Sequence, residues 1–448
     1  MGKEKKPSID GPVYDARTLG TPKMLILGLQ HMFAMFGATV LVPALTGLDV
    51  ATTLLFAGLG TLLFHLLTKR QVPAFLGSSF AYLAGYWAIA PNGEANLLPY
   101  ACFAVAVSGL MYVILAGVIK TVGVNKVMRF FPPIVTGPII IAIGLILSSS
   151  AINNCSANWL VAIIAIIVVI VCNMWGKGMI KIIPILIGVV ASYLVSMIVD
   201  PASRAAVAET VAAADWIGLP VHKDATVFGL FANGVDTGML ITACITIVPL
   251  AIATMMEHIG DICAISSTVN KNFLVEPGLH RTLLGDGLAT ALASLFGAPA
   301  NTTYGENTGV LALSKVYDPR VIRIAAAFAI ILSFCPKFAA LITAMPAATI
   351  GGVSLVLYGM ISAVGVRNVV ENKVDFTNTR NVVIAALILV LSLGIANSSA
   401  GAVHIGSVSL SGLAVASIVG IVLNAILPGK DYEFQQESEG STSVNFKV

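Results

Sequence analysis

Charge is scarce in this sequence. Only 10% of its 448 residues are Asp, Glu, Lys or Arg, against about 25% in an ordinary soluble domain. Hydrophobic residues make up 57% and the mean hydropathy is +0.92, a load of apolar surface that a water-soluble fold could not hide. Cysteine is sparse as well. Cys102, Cys155, Cys172, Cys244, Cys263 and Cys335 stand singly, without the CxxC spacing of zinc or thiol-redox sites, and read as small apolar packing residues. No glycine-rich phosphate loop is present, so ATP-driven transport is not expected, and Glu257-His258 lacks the histidine spacing of an HExxH zinc site. No metal and no cofactor is expected. The apolar runs also hold no nucleophile–base pair, which argues against an intramembrane enzyme.

What remains is a chain of about fourteen apolar stretches separated by short polar breaks, each close to the roughly 20 residues that cross a bilayer core. The fold expected is an all-α polytopic membrane protein. The third and tenth stretches, near 71–91 and 301–315, are short and polar. The run after residue 22 is too long for a signal-peptide core and lacks a small-residue cleavage site, so the N-terminus is expected to stay attached. With a cytoplasmic N-terminus and fourteen spans, the cytoplasmic connections hold fifteen Lys and Arg and the outer ones three, the tails holding the other seven of the 25. That asymmetry is a strong positive-inside pattern with both termini in the cytoplasm. The basic residues are then topology determinants and require no nucleic acid.

The longest outer polar stretch, 199–235, divides the spans seven and seven. An odd number per half forces the second half to insert upside down, the inverted-repeat plan of many secondary transporters. Residues 131–137 (FPPIVTG) resemble 345–351 (MPAATIG), and the segment from Pro73 to Tyr82 resembles that from Pro299 to Asn307, each a proline followed by small hydroxyl residues, an aromatic and glycine. Such segments form helices poorly, and irregular backbone cannot face lipid. They are expected to meet as extended or half-helical pieces, buried near the midplane, with free N–H groups for a ligand.

Ionisable groups inside a bilayer cost roughly 2.5–3.5 kcal/mol each on insertion scales, so those that persist usually work. Glu257, Asp261, Asp286 and Glu306 fall within or beside apolar runs. Glu257 and Asp261, four apart, share a helix face. The bland alternatives are that Glu257 and Glu306 cap helix ends or pair with His258, and that Gln30-His31 makes only an interhelical hydrogen bond. Asp261 fits a proton relay, a partner of Glu257 or an end group facing the cytoplasm, and Asp286 reads as an end-of-helix residue.

The stretch Glu306-Asn307-Thr308-Gly309, followed after four residues by Ser314-Lys315, resembles the signature of the nucleobase–ascorbate (uracil/xanthine permease) transporters. Gln30-His31 with FAMFGATVLVP, GSSFAY at 77–82, EHIGD at 257–261, PGLHR at 277–281 and NTTYGEN at 301–307 carry the same likeness, which runs from about residue 20 to 427 and lies nearest to bacterial uracil permeases. The resemblance implies a core domain of spans one to four and eight to eleven (23–120 and 236–337) and a gate domain of the other six (121–198 and 338–428). The linker 199–235 lies outside, with cytoplasmic tails at 1–22 and 429–448. It further implies that Glu257 and Glu306 hydrogen-bond the base, that the Phe80 and Gly305 backbones meet its edge, that Tyr304 lies beside the ring and that Tyr358 reaches in from the gate. His31, Asn307 and Ser79 would support the site, His31 by steadying the tenth segment. A homodimer is implied too.

Two departures matter. The final Thr of the signature is Ser314 here, which keeps the hydroxyl. Asp261 stands where the best-known uracil carrier of the family has histidine and purine carriers commonly have aspartate, so a xanthine or purine carrier is the nearest alternative. Uracil presents ring N–H donors and carbonyl acceptors, which carboxylates and backbone amides match, and an aromatic ring can cover its flat face. The expected activity is uptake of uracil with a proton across the cytoplasmic membrane, Glu257 and Asp261 serving proton coupling. The sequence does not separate proton from sodium coupling. An anion transporter of the same architecture is disfavoured, because two acids in the irregular segments would repel its substrate.

Overall fold

Apolar runs punctuated by glycine, proline and capping residues become helices in the computed structural model, which describes residues 11–405, 408–429, 433–434 and 446–447. The principal helices are α1 (Thr21–Thr46), α2 (Val50–Leu67), α3 (Leu83–Ile89), α4 (Leu98–Val122), α5 (Pro133–Cys155), α6 (Trp159–Trp175) and α7 (Pro184–Val199). After the polar stretch come α8 (Thr237–Val269), α9 (Leu279–Leu295), α10 (Gly305–Ser314), α11 (Pro319–Ser333), α12 (Ala347–Glu371), α13 (Thr379–Ala396) and α14 (Gly412–Ile426). Seven of them are long and apolar enough to cross a membrane, or nine crossings if the bent pairs α7 with Pro201–Ala213 and α11 with Pro336–Thr343 each count as one. The chain is an integral membrane protein.

Local chemistry explains the boundaries. Asp49, Asp318, Asn378 and Ser411 cap α2, α11, α13 and α14 by accepting first-turn N–H groups. Pro132 and Pro346 immediately precede α5 and α12, the two segments whose sequences resemble each other. Pro249 removes a backbone donor inside α8, and a 3-10 turn, Val248–Leu250, stands there. The polar stretch is not bare linker: it folds into Pro201–Ala213 and Val227–Asn233.

Helices approach at backbone distance where side chains vanish. A Cβ on Gly144 would lie 2.2 Å from the Tyr358 carbonyl, and one on Gly365 would lie 2.7 Å from that of Gly137, so α5 and α12 cross closely. Gly109 and Gly287 do the same for α4 and α9, and Gly58 for α2 against α11. Without a hydrophobic force between helices in lipid, such small-residue contacts supply the packing. Further packings join α1 to α11, α8 to α4, α6 to α7 and α12, and α13 to α14 and α5.

The third and tenth segments are extended where they meet. β1 (Leu76–Ser78) and β2 (Asn301–Thr303) pair antiparallel, with Leu76 opposite Thr303 and Ser78 opposite Asn301. All six strand residues are buried, so their irregular backbone is covered by protein.

Three sequence expectations change. Asp286 is no end-of-helix residue: it lies in the middle of α9, fully buried. The boundary at 337/338 falls inside the helix Pro336–Thr343. The N-terminal stretch, read as a plain tail, is tied down from residue 13. Val13 exchanges backbone hydrogen bonds with Lys315 and Tyr317, and Arg320 donates to Asp15 at 2.9 Å. The rest of the expected tails, 1–10 and most of 430–448, lies outside the described residues.

Candidate substrate-binding site

The strand pair sets two helix starts back to back. Chain leaving β1 enters a 3-10 turn, Phe80–Tyr82, and then α3, whereas chain leaving β2 enters α10 at Gly305. Because the strands run antiparallel, the two helices depart in opposite directions and both present their N-termini to the middle. No side chain caps either start, so first-turn amides and about half a positive charge per helix end face the gap. The ladder is extended by Ser79 N–H donating to Ala300 O at 2.8 Å and Tyr304 N–H to Phe75 O at 3.1 Å.

A cavity of about 190 Å³ opens at this point. That is below the roughly 300–1,000 Å³ of drug-sized ligand sites, and suits one small heterocycle. Ser78, Phe80, Thr302, Thr303, Tyr304, Gly305 and Glu306 line it from the broken segments, and Glu257 and Asp261 from α8. Its remaining wall is apolar: Ile140 of α5 with Met360, Ile361 and Val364 of α12. A Cβ on Gly305 would meet no atom within 4 Å, so the backbone there lies open to a ligand.

The residues singled out in the sequence divide by position. Glu257, Glu306, Asp261, Phe80, Tyr304 and Gly305 share the cavity. Tyr358 packs behind it, with its ring edge-on to Phe80 at 5.7 Å and 76°. His31 lies against α10, where Asn307 Nδ2 sits 3.2 Å from His31 Nδ1 and donates to the His31 carbonyl at 3.1 Å. Ser79 is buried on the strand side, its hydroxyl without a hydrogen-bond partner among the described residues.

Polar contacts hold this frame. The Tyr304 hydroxyl donates to Ser78 O at 2.9 Å and the Ser78 hydroxyl to Thr39 O at 3.0 Å, tying α10, β1 and α1 together. A Cβ on Gly77 would lie 2.5 Å from the Tyr304 ring and 2.6 Å from Thr39 Oγ1, so only glycine allows that closeness. Thr303 Oγ1 donates to Asp261 Oδ2 at 3.0 Å, and the buried His258 Nδ1 stands 3.3 Å from Asp286 Oδ2. His258 thus faces Asp286 rather than Glu257. Oε2 of Glu257 has no partner among the described residues, a buried acceptor available to a ligand or a proton.

Sequence reasoning missed the wall from α5 and α12, and also Thr302, Thr303 and Ser78. A signal existed for the last three, since they lie inside the matched GSSFAY and NTTYGEN motifs. None existed for Ile140 or Met360, Ile361 and Val364, which look like any apolar helix residue.

Residues 22–401 match the family model described as the Permease family. The chain is 41% identical over 438 residues to the uracil permease of Bacillus caldolyticus, an alignment covering 95% of this chain and 96% of that one. It is 37% identical to the uracil permease of Escherichia coli (strain K12), with 89% and 90% covered. Among solved structures, the transmembrane domain of a cyanobacterium bicarbonate transporter, BicA, superposes with a TM-score of 0.57 at 14% identity, over 92% of this chain and 99% of that one. SLC26A9 gives 0.61 at 11% identity, over 92% and 66%. At such identities these two report the fold alone.

Proposed function

Since the chain belongs to the Permease family and is therefore a transporter rather than an enzyme, we propose that it takes up uracil with a proton across the cytoplasmic membrane by alternating access. One observation carries the reading. Two broken crossings aim uncapped helix starts at a small buried cavity that also holds Glu257 and Glu306. Carboxylates accept from ring N–H groups, free amides at Phe80 and Gly305 donate to ring carbonyls, and Tyr304 flanks the ring. The uracil permeases among its relatives supply the substrate.

The proposal includes fourteen spans as a seven-plus-seven inverted repeat, N- and C-termini inside. Its support is a regularity of packing. Adding seven to the helix number turns α4 on α9 into α11 on α2, α1 on α11 into α8 on α4, α6 on α7 into α13 on α14, and α6 on α12 into α13 on α5. The same contacts support grouping α5–α7 and α12–α14 as the proposed gate (121–198 and 344–428) and the rest as the proposed core (23–120 and 236–343), the boundary moved past the helix Pro336–Thr343. A homodimer belongs to the same proposal.

In this orientation α12 descends toward the cytoplasm, and Met360, Ile361 and Val364 lie below Tyr358. Every gate residue lining the cavity is then on the cytoplasmic side of the Phe80–Tyr358 contact, which supports taking this conformation as the inward-facing one of the proposed cycle, with that aromatic pair closing the outer side. In the cycle proposed, Glu257 takes a proton from outside, which removes most of the cost of burying its charge. Base binds, the core shifts against the gate, and both leave inward, with Asp261 one turn nearer the cytoplasm as the next acceptor. One proton moved through 100 mV and one pH unit is worth roughly 2.3 plus 1.4 kcal/mol, about 500-fold accumulation.

Radiolabelled uracil uptake into proteoliposomes tests this. Uptake driven by a proton gradient is expected; uptake driven by sodium and indifferent to protons overturns the coupling. Asp261 favours a second reading, a xanthine or purine carrier, and competition by a panel of bases separates the two.

A further inference from the structure

A second pocket of about 440 Å³ lies away from the cavity, against the first turns of α1. Leu19, Lys23, Ile26 and Gln30 form one side, Leu313 at the end of α10 the floor, and Lys181 of the short helix Met179–Ile182 the other side. No acid lines it, and among the described residues neither lysine has an ion-pair partner. The start of α1 has no capping side chain and no acid in its first turn, so its dipole adds to the positive charge. Ile26 and Leu313 are more than half exposed, and Trp175, 71% exposed, leads into the same connection. An exposed tryptophan beside lysines marks the level where apolar lipid meets headgroups.

We propose that this groove binds the headgroup of an anionic phospholipid. Lys23 and Lys181 flank the phosphate, Gln30 donates to a headgroup oxygen, and an acyl chain lies on Ile26 and Leu313. Basic pockets between helices on the cytoplasmic side suit such headgroups. The lipid would touch α1 and α10 on one side and Met179–Ile182 on the other, tethering faces that the proposed cycle moves apart. The site does not depend on the substrate assigned above.

Thermal unfolding of the purified full-length protein tests it, with dihexanoyl phosphatidylglycerol, with phosphatidylcholine of the same chains, and with inorganic phosphate. Phosphatidylglycerol is expected to raise the midpoint saturably, and the other two to leave it unchanged. Lys23→Gln with Lys181→Gln should need about 30-fold more phosphatidylglycerol, roughly fivefold per lysine. The paired arginine substitutions should keep the response. An equal shift with phosphatidylcholine would reduce the site to an apolar groove, and an equal shift with phosphate would make it a free-anion site; either overturns the proposal. So does a wild-type response in the double glutamine variant. Should that variant not fold, the two single substitutions decide, and an unchanged response in both is fatal.

Discussion

The two walls of the cavity are built on opposite principles. One presents Glu257, Asp261, Thr302, Thr303 and Glu306 from α8 and the broken segments; the other presents Ile140, Met360, Ile361 and Val364 from continuous helices. In the proposed site the polar wall offers its groups to a ligand whose edges need partners, since a buried polar group left unpaired costs about 1–3 kcal/mol. The apolar wall makes no directional bond, so it can cover a ligand and still slide past it. In the proposed cycle, recognition and movement thereby fall to different elements, as a carrier that holds its substrate while opening elsewhere would require.

Substitutions can break that division, and the largest effect is expected at Glu306. Glu306→Gln removes a charge-assisted bond worth about 1.5–3 kcal/mol, so base affinity in an equilibrium binding assay should fall roughly 10- to 150-fold with melting unchanged. Wild-type affinity would take Glu306 off the polar wall. Thr303→Val strips Asp261 of its 3.0 Å partner and should slow uptake about tenfold, with Thr303→Ser restoring it; equal uptake by both variants would show that the pair does nothing. Phe80→Leu loses the edge-on ring contact with Tyr358, worth about 0.5–1.5 kcal/mol. Alkylation of a cysteine placed on the outer side of that pair should then rise roughly 2- to 12-fold. The smallest change is expected on the apolar wall. Ile361→Val should alter affinity by about twofold, near the low end for this shortening, because one face of the side chain already borders the cavity. A loss there as large as that of Glu306→Gln would collapse the distinction between the walls.

Legibility in the sequence followed the same line. The strand-forming segments announced themselves, because proline, glycine and small hydroxyl residues interrupt otherwise apolar runs, and acids inside those runs are too costly to be casual. Thr303 sat in plain view within such a segment, yet nothing local says that its hydroxyl reaches Asp261, 42 positions away. Asp286 was misjudged for a related reason. Nothing local marks its position as mid-helix, where Gly285 and Gly287 admit Phe64 and Tyr112 into close contact and His258 Nδ1 of α8 stands 3.3 Å from Asp286 Oδ2.

By itself the sequence determined that this chain lives in a bilayer and that its third and tenth apolar segments could not be plain helices. Both follow from local chemistry, the number of apolar residues and the presence of helix breakers. It also singled out the acids in its apolar runs. Tertiary structure alone decided which residues face one another. The register of Leu76 on Thr303, the placing of Glu257 and Glu306 in one cavity, and the choice of Ile140 and Val364 as its far wall depend on how helices cross. Crossings are set by where small residues let backbones touch, a property of two surfaces together that neither sequence segment holds alone.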